Sequence, residues 1–158
     1  MTEENQRRVV SVIVINEASV LSRITDLFSG RGYNITSLTV APIPDSRYSR
    51  LTIVTAGSVR VIEQITKQLH KLIPVLRVYE HEDMVEKEMA MIKIPITENL
   101  SDINILCEAY NGKIINTGEN TIIAMVTDEP KRIDNFLKAI KRYNPKEIVR
   151  SGAMALER

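Results

Sequence analysis

The sequence predicts an α+β protein made of two consecutive βαββαβ halves, each an antiparallel sheet with helices on one face. Three observations carry this prediction. Apolar runs of strand character and segments of helical apolar spacing follow one another in the order strand, helix, strand, strand, helix, strand. The same order then occurs a second time, without obvious sequence identity between the halves. Between them lies a charged stretch without glycine, HEDMVEKE at 81–88, read as a connector. The 158 residues leave room for two small domains of about 80 residues each. The expected division is 1–80, a linker at 81–88, and 89–158.

In the first half the leading residues MTEENQRR are polar and expected to fray. Residues 9–15 (VVSVIVI) form a nearly continuous β-branched run, too short for a helix and suited to a buried central strand. From Ser19 the apolar positions Leu21, Ile24, Leu27 and Phe28 share one helical face. Gly30 and Gly32 stop that helix. Tyr33 to Ile43 reads as a strand, and Pro42, Pro44, Asp45 and Ser46 as a turn. Ser49 to Ala56 is the next strand. Ser58 is the expected N-cap of a second helix that buries Ile62, Ile65, Leu69 and Leu72. Pro74 ends it, and a strand runs through Val75, Leu76, Val78 and Tyr79.

The second half opens with a strand from Met89 to Ile96 and a helix from Ser101 to Tyr110, whose Ile103, Leu106, Cys107 and Tyr110 share a face. Asn111 and Gly112 cap and turn. Lys113–Asn116 and Thr121–Val126 form a hairpin around Thr117-Gly118-Glu119-Asn120. Pro130 stands in the first turn of a helix that buries Ile133, Phe136, Leu137 and Ile140. Glu147 to Leu156 is the last strand.

A βαββαβ unit closes as a ferredoxin-like sheet with both helices on one side. The other side is left bare and carries enough Ile, Val and Leu to make an apolar patch. It calls for the other half-domain or a second chain, so a homo-oligomer is expected.

Composition narrows the function. Hydrophobic content of 44% with 26% charged residues is that of a globular chain. A net charge of +1 supplies no basic field, so nucleic acid is not an expected partner. RNA recognition on a ferredoxin-like sheet needs stacking aromatics, which residues 49–56 lack. The single cysteine, Cys107, excludes an internal disulfide and falls on an apolar stripe, where a cysteine behaves as a small hydrophobe. No secretory segment and no apolar run of about 18 residues is present, so the expectation is a cytoplasmic protein without membrane contact. His70 and His81 read as solvent-facing. His81 with Glu82, Asp83 and Glu86 is a poor metal set, better read as a solvated linker. Gly30-Arg31-Gly32 ends a helix where a dinucleotide fingerprint would open one. No catalytic constellation emerges.

One stretch survives, Asn16 to Ser37. A helix N-terminus offers unpaired N–H groups and the positive end of a dipole, which suit a carboxylate. The amides of Asn16 and Asn34 can accept from an ammonium and donate to a carboxylate. Val20, Leu21 and Ile35 could hold an aliphatic side chain. The ligand these groups suit is a branched-chain amino acid. The plainer reading is capping, with Asn16 or Ser19 satisfying the helix start and Asn34 in a turn.

The stretches Asn16 with LSRITDLFSGRGYNITSLTVAP (21–42), SRLTIVTAG (49–57), IEQITKQLHKLIPVLRV (62–78) and the terminal RSGAMALER resemble the regulatory, or small, subunit of acetohydroxyacid synthase (acetolactate synthase). The resemblance spans nearly the whole chain. It implies that the first half is an ACT domain whose sheet continues into that of a second subunit in a homodimer. It implies a non-catalytic chain that binds and activates a large catalytic subunit. That subunit would carry thiamine diphosphate, magnesium and FAD and condense pyruvate with pyruvate or 2-oxobutyrate. It further implies feedback inhibition by valine, bound between chains by Asn16, Ser19, Val20 and Leu21 of one and Asn34 and Ile35 of the other. The family pattern N-x-x-G-x-L-S-R has glycine where this chain has Ser19. Weaker or altered effector binding is the expectation that follows. The alternative function is a free-standing ACT-type amino-acid sensor acting on another partner. A DNA-reading version of it would need a helix-turn-helix, and every helix here belongs to the βαββαβ pattern.

Overall fold

The computed structural model describes residues 5–97 and 99–158. They form two compact units, one ending at Val85 and rejoined by Ala153–Arg158, the other spanning Glu86–Gly152.

In the first unit β1 (Gln6–Ile15), α1 (Val20–Gly30), β2 (Ile35–Pro42), β3 (Tyr48–Gly57), α2 (Val59–His70) and β4 (Val75–Glu80) follow in order. The sheet order is β2-β3-β1-β4, every neighbouring pair antiparallel. Alternation along β1 explains the layering. Val10, Val12 and Val14 face the helices and pack with Leu51, Ile53, Val20, Ile24, Phe28, Ile62, Ile65 and Leu69. Truncating one of these, such as Ile53→Ala, costs about 2–5 kcal/mol. Ser58 caps α2 as expected, its hydroxyl accepting from the Val61 amide. The expectation of a frayed start is corrected in part. Gln6 to Arg8 pair with β3, while residues 1–4 lie outside the described residues.

The second face of this sheet departs from expectation. It is neither bare nor strongly apolar. Ser11, Thr52 and Thr39 form a polar row across three strands by register. Val9 and Val54 beside that row are buried against Ala153 and Ala155. The covering residues come from this chain, Ala153 just before β9 (Met154–Glu157) and Ala155 on it.

The second unit holds most of β5 (Met84–Pro95), then α3 (Leu100–Ala109), β6 (Gly112–Thr117), β7 (Thr121–Asp128), α4 (Pro130–Ile140), a 3-10 turn at Lys141–Tyr143, and β8 (Glu147–Arg150). Its order β6-β7-β5-β8 is again ferredoxin-like, and β9 pairs with β5 as a fifth strand off that path. Ala90, Ile92, Ile94, Ile122, Ala124, Val126, Ile103, Cys107, Ile133, Phe136 and Ile140 make its core. Burial raises the Cys107 thiol pKa, with the charge of Glu108 adding to it, so the thiolate that reactivity needs is disfavoured.

Two expected boundaries move. The connector 81–88 is not a solvated linker, since His81 is buried and β5 already begins at Met84. Its alternating exposure was hidden by the charge of the residues that carry it. The expected last strand breaks between β8 and β9, where Gly152 adopts φ 80°. At the α3 exit the left-handed residue is Asn111, φ 58°. Gly112 is needed for space, because a Cβ there would lie 2.3 Å from Val126 Cγ1 and 2.7 Å from the Met125 carbonyl oxygen.

Candidate effector site

The site begins where β1 runs out. Asn16 is exposed, and its backbone amide donates to the Arg47 carbonyl at 2.8 Å. Its side-chain Nδ2 donates to the Ser46 carbonyl at 3.0 Å. The turn between β2 and β3 therefore holds the turn between β1 and α1. That hairpin turn is itself pinned by Asp45, whose carboxylate accepts from the Arg47 guanidinium at 2.6 Å and from the Arg47 amide at 3.2 Å. The guanidinium hydrogen bond holds the Asp45 pKa below the usual carboxylate range. Sequence reasoning found the Pro-Asp-Ser turn but not this bracing, which depends on where the hairpin folds back.

Ser19 precedes α1 at φ −92° and ψ −6°, and its hydroxyl makes no capping hydrogen bond. Its carbonyl accepts from the Arg23 amide at 3.2 Å and from Ser22 Oγ at 3.0 Å. No acidic residue stands in the first turn. Beyond Val20, the opening N–H groups of α1, which have no intrahelical acceptor, are thus left without a side-chain cap or an acidic residue in the first turn. Val20 is part of the core, its side chain buried and its amide donating to the Glu17 carbonyl at 3.3 Å. Leu21 is 39% exposed and presents an aliphatic surface beside the turn.

Asn34 and Ile35 stand elsewhere. Gly32 exits α1 at φ 70°, and the Tyr33 amide returns to the Phe28 carbonyl at 2.9 Å. The Tyr33 ring then packs edge-on to Phe28, centroids 6.3 Å apart. Asn34 is exposed; its carbonyl accepts from Thr55 Oγ1 at 2.5 Å, and among the described residues no hydrogen bond engages its amide side chain. Ile35 is half-buried at the start of β2.

The separation is decisive for one chain. Ile15 pairs with Tyr48 and Ile35 with Thr55. Those partners are seven residues apart along β3 (55 − 48 = 7), roughly 23 Å of strand. Helix α1, of 11 residues, separates the two turns by about 16 Å. Asn16 with Ser19 and Leu21, and Asn34 with Ile35, are therefore two separate candidate groups at opposite ends of α1, and one small ligand cannot touch both within a chain.

The solvent-facing reading of His81 is corrected. Its Nε2 lies 2.6 Å from Ser11 Oγ and its Nδ1 2.8 Å from Glu157 Oε2. His70 is exposed, as expected. Among the described residues, no group of three or more His, Cys, Asp or Glu side chains is placed to hold a metal ion. Among them, too, no helix is long and apolar enough to cross a membrane.

Two ferredoxin-like units, the first with helix α1 springing from the end of its central strand, define an ACT-type architecture. Residues 10–77 match the family model described as the AHAS small subunit-like ACT domain, and residues 87–158 that of the small subunit of acetolactate synthase. The acetolactate synthase small subunit of Buchnera aphidicola (subsp. Schizaphis graminum) is 42% identical, covering 96% of this chain and 99% of its own. The isozyme 3 small subunit of Escherichia coli K12 is 41% identical over 96% of each chain. The crystal structure of the small subunit from Thermotoga maritima superposes with a TM-score of 0.90 at 34% identity, covering 97% of this chain and 98% of that one. The chain belongs to the acetolactate synthase small-subunit family.

Proposed function

We propose that the chain is the non-catalytic regulatory subunit of an acetolactate synthase. In this reading it binds and activates a large catalytic subunit and makes it sensitive to valine or another branched-chain amino acid. Thiamine diphosphate, magnesium and FAD belong to the catalytic partner, and no residue of this chain is assigned to them. The first unit is the effector domain.

The observation that carries the effector reading is the division of the site. The uncapped start of α1 suits a carboxylate, Leu21 suits an aliphatic side chain, and Asn16 borders both. Asn34, with an unengaged amide, stands too far away to join them within one chain. A homodimer that sets the Asn34 turn of one protomer against the Asn16 turn of the other closes a cage around a zwitterion. Binding there changes the relative free energy of dimer geometries, the coupling that allosteric control requires.

The test is direct. The purified chain is added to its purified catalytic subunit, and acetolactate formation is followed with and without valine. A rise in turnover that valine reverses is expected. Absence of both binding and activation defeats the proposal at its centre. Activation that valine leaves untouched retires the effector half alone.

A further inference from the structure

The first unit contains a buried polar relay that the effector reading does not use. Arg50 Nη2 lies 3.1 Å from Ser11 Oγ, Ser11 Oγ 2.6 Å from His81 Nε2, and His81 Nδ1 2.8 Å from Glu157 Oε2. A guanidinium only donates, so the Ser11 oxygen accepts from Arg50, while the direction of the bond between Ser11 and His81 Nε2 follows the tautomer of the ring. A carboxylate only accepts, so a ring hydrogen on Nδ1 is donated to Glu157.

The order serine, imidazole, carboxylate is that of an acyl-transfer triad. Catalysis is not what it serves here. Ser11 is 0% exposed in the middle of β1, and Arg50 occupies the oxygen that would have to attack. What the relay joins is more telling. Ser11 is on β1 and His81 follows β4, whereas Glu157 is on the last strand, β9.

Further bonds fasten the same segment. Arg50 Nη2 also donates to the Ala155 carbonyl at 3.0 Å, and Thr39 Oγ1 to the Ala153 carbonyl at 3.2 Å. The Asp83 amide donates to Glu157 Oε1 at 3.2 Å, and the Arg158 amide to the Asp83 carbonyl at 2.9 Å. Beneath lie Val9 and Val54, clustered with two small side chains, Ala153 and Ala155, and flanked by Met84. The segment is thus rich in directional bonds and poor in apolar burial. It begins after Gly152, a residue in the left-handed region.

We propose that residues 153–158 are a latch, a strap locked over the second face of the first sheet by Glu157 through His81 and Ser11, and able to open at Gly152 without unfolding the sheet. Opening bares Val9 and Val54 and leaves the helix-side core intact, because none of the residues of that core belongs to the strap. A strap held mainly by hydrogen bonds opens at lower free energy than strands held by a packed core.

Hydrogen–deuterium exchange on the full chain tests this. In the wild type, amides of 153–158 should be protected, yet exchange faster than those of β1 and β3. Glu157→Ala removes a hydrogen bond to a charged group at the exposed end of the relay and should speed exchange of 153–158 by about tenfold or more. Protection of β1, β3 and residues 99–152 should stay unchanged, the edge of β5 that pairs with β9 should open with the strap, and binding of an apolar dye should rise. His81→Leu should match Glu157→Ala in the strap; if its buried substitution disturbs folding, Glu157→Ala decides alone. The latch is overturned if 153–158 exchange like free peptide in the wild type, or if Glu157→Ala leaves them as slow as before. It is equally overturned if they open only together with β1 and β3. Labelling of Ser11 by a serine-reactive phosphonate would overturn its purely structural role.

Discussion

Ser19 lies in backbone space that any residue can occupy, so the family's glycine is not required there by dihedral angle. What serine adds is a Cβ and a hydroxyl that caps nothing, both beside the uncapped amides of α1. Ser19→Gly should therefore tighten valine binding roughly fivefold, about 1 kcal/mol. It should alter stability by only a few tenths of a kcal/mol, since glycine is an acceptable N-cap. Calorimetric titration of both proteins checks this, and equal affinities would remove Ser19 from the account. Asn34→Ala separates function from stability more sharply. Its side chain is exposed, so unfolding should shift by less than about 0.5 kcal/mol while effector binding is lost. Gly112→Ala is the opposite case. Its new methyl meets Val126 and the Met125 carbonyl, and a loss of about 1–3 kcal/mol in urea unfolding is expected. At this scale residue type revealed much. Asn16 and Asn34 stood out as amides at turns, whereas the tie from Asn16 to Ser46 depends on a hairpin's return path that no local pattern encodes.

Helix α4 begins at a charged knot. Asp128 is buried, its carboxylate accepting from Arg132 Nε at 2.6 Å and from the Glu129 amide at 2.8 Å, with Lys87 Nζ 3.7 Å away. Burial works against its charge, but the Arg132 and Glu129 hydrogen bonds and the two cations outweigh it, and the pKa lies below its ordinary value. A folded pKa below the unfolded one stabilises above the unfolded value and ceases to do so as pH falls through the folded value. The second unit should accordingly lose stability below about pH 4, the usual carboxylate range. Asp128→Asn should remove that acid-sensitive part and cost about 1–3 kcal/mol at neutral pH. Urea melts of the two proteins at several pH values test both statements. Elements as a class were legible, because helix spacing and β-branched runs are strong local signals. The failures fell where two signals conflicted. Charge at 81–88 masked a strand alternation, and the apolar run to Leu156 masked a break at Gly152.

For the whole molecule, the sequence yielded two βαββαβ halves but not the return of residues 153–158 to the first unit. That return is a long-range pairing, made through β5 and through bonds such as Glu157 to His81, and no window of sequence contains it. The two candidate groups make a prediction at this scale. A mixture of Asn16→Ala and Asn34→Ala protomers should regain effector binding that neither has alone. Each mixed dimer holds one intact site, so random assortment restores about a quarter of the wild-type sites. Calorimetry on equimolar mixtures after subunit exchange reads this number, and no recovery would mean that the two asparagines do not share a ligand.

The discontinuity of the first unit also bears on how the protein is made. On the ribosome, β1 to β4 emerge early and can close their helix-side core while synthesis continues. Their second face waits until all of Glu86–Gly152 has been translated, because Ala153 and Ala155 come afterwards. For that interval the nascent chain carries a folded domain with Val9 and Val54 uncovered. During it that face is open to any other chain before residues 153–158 reach it.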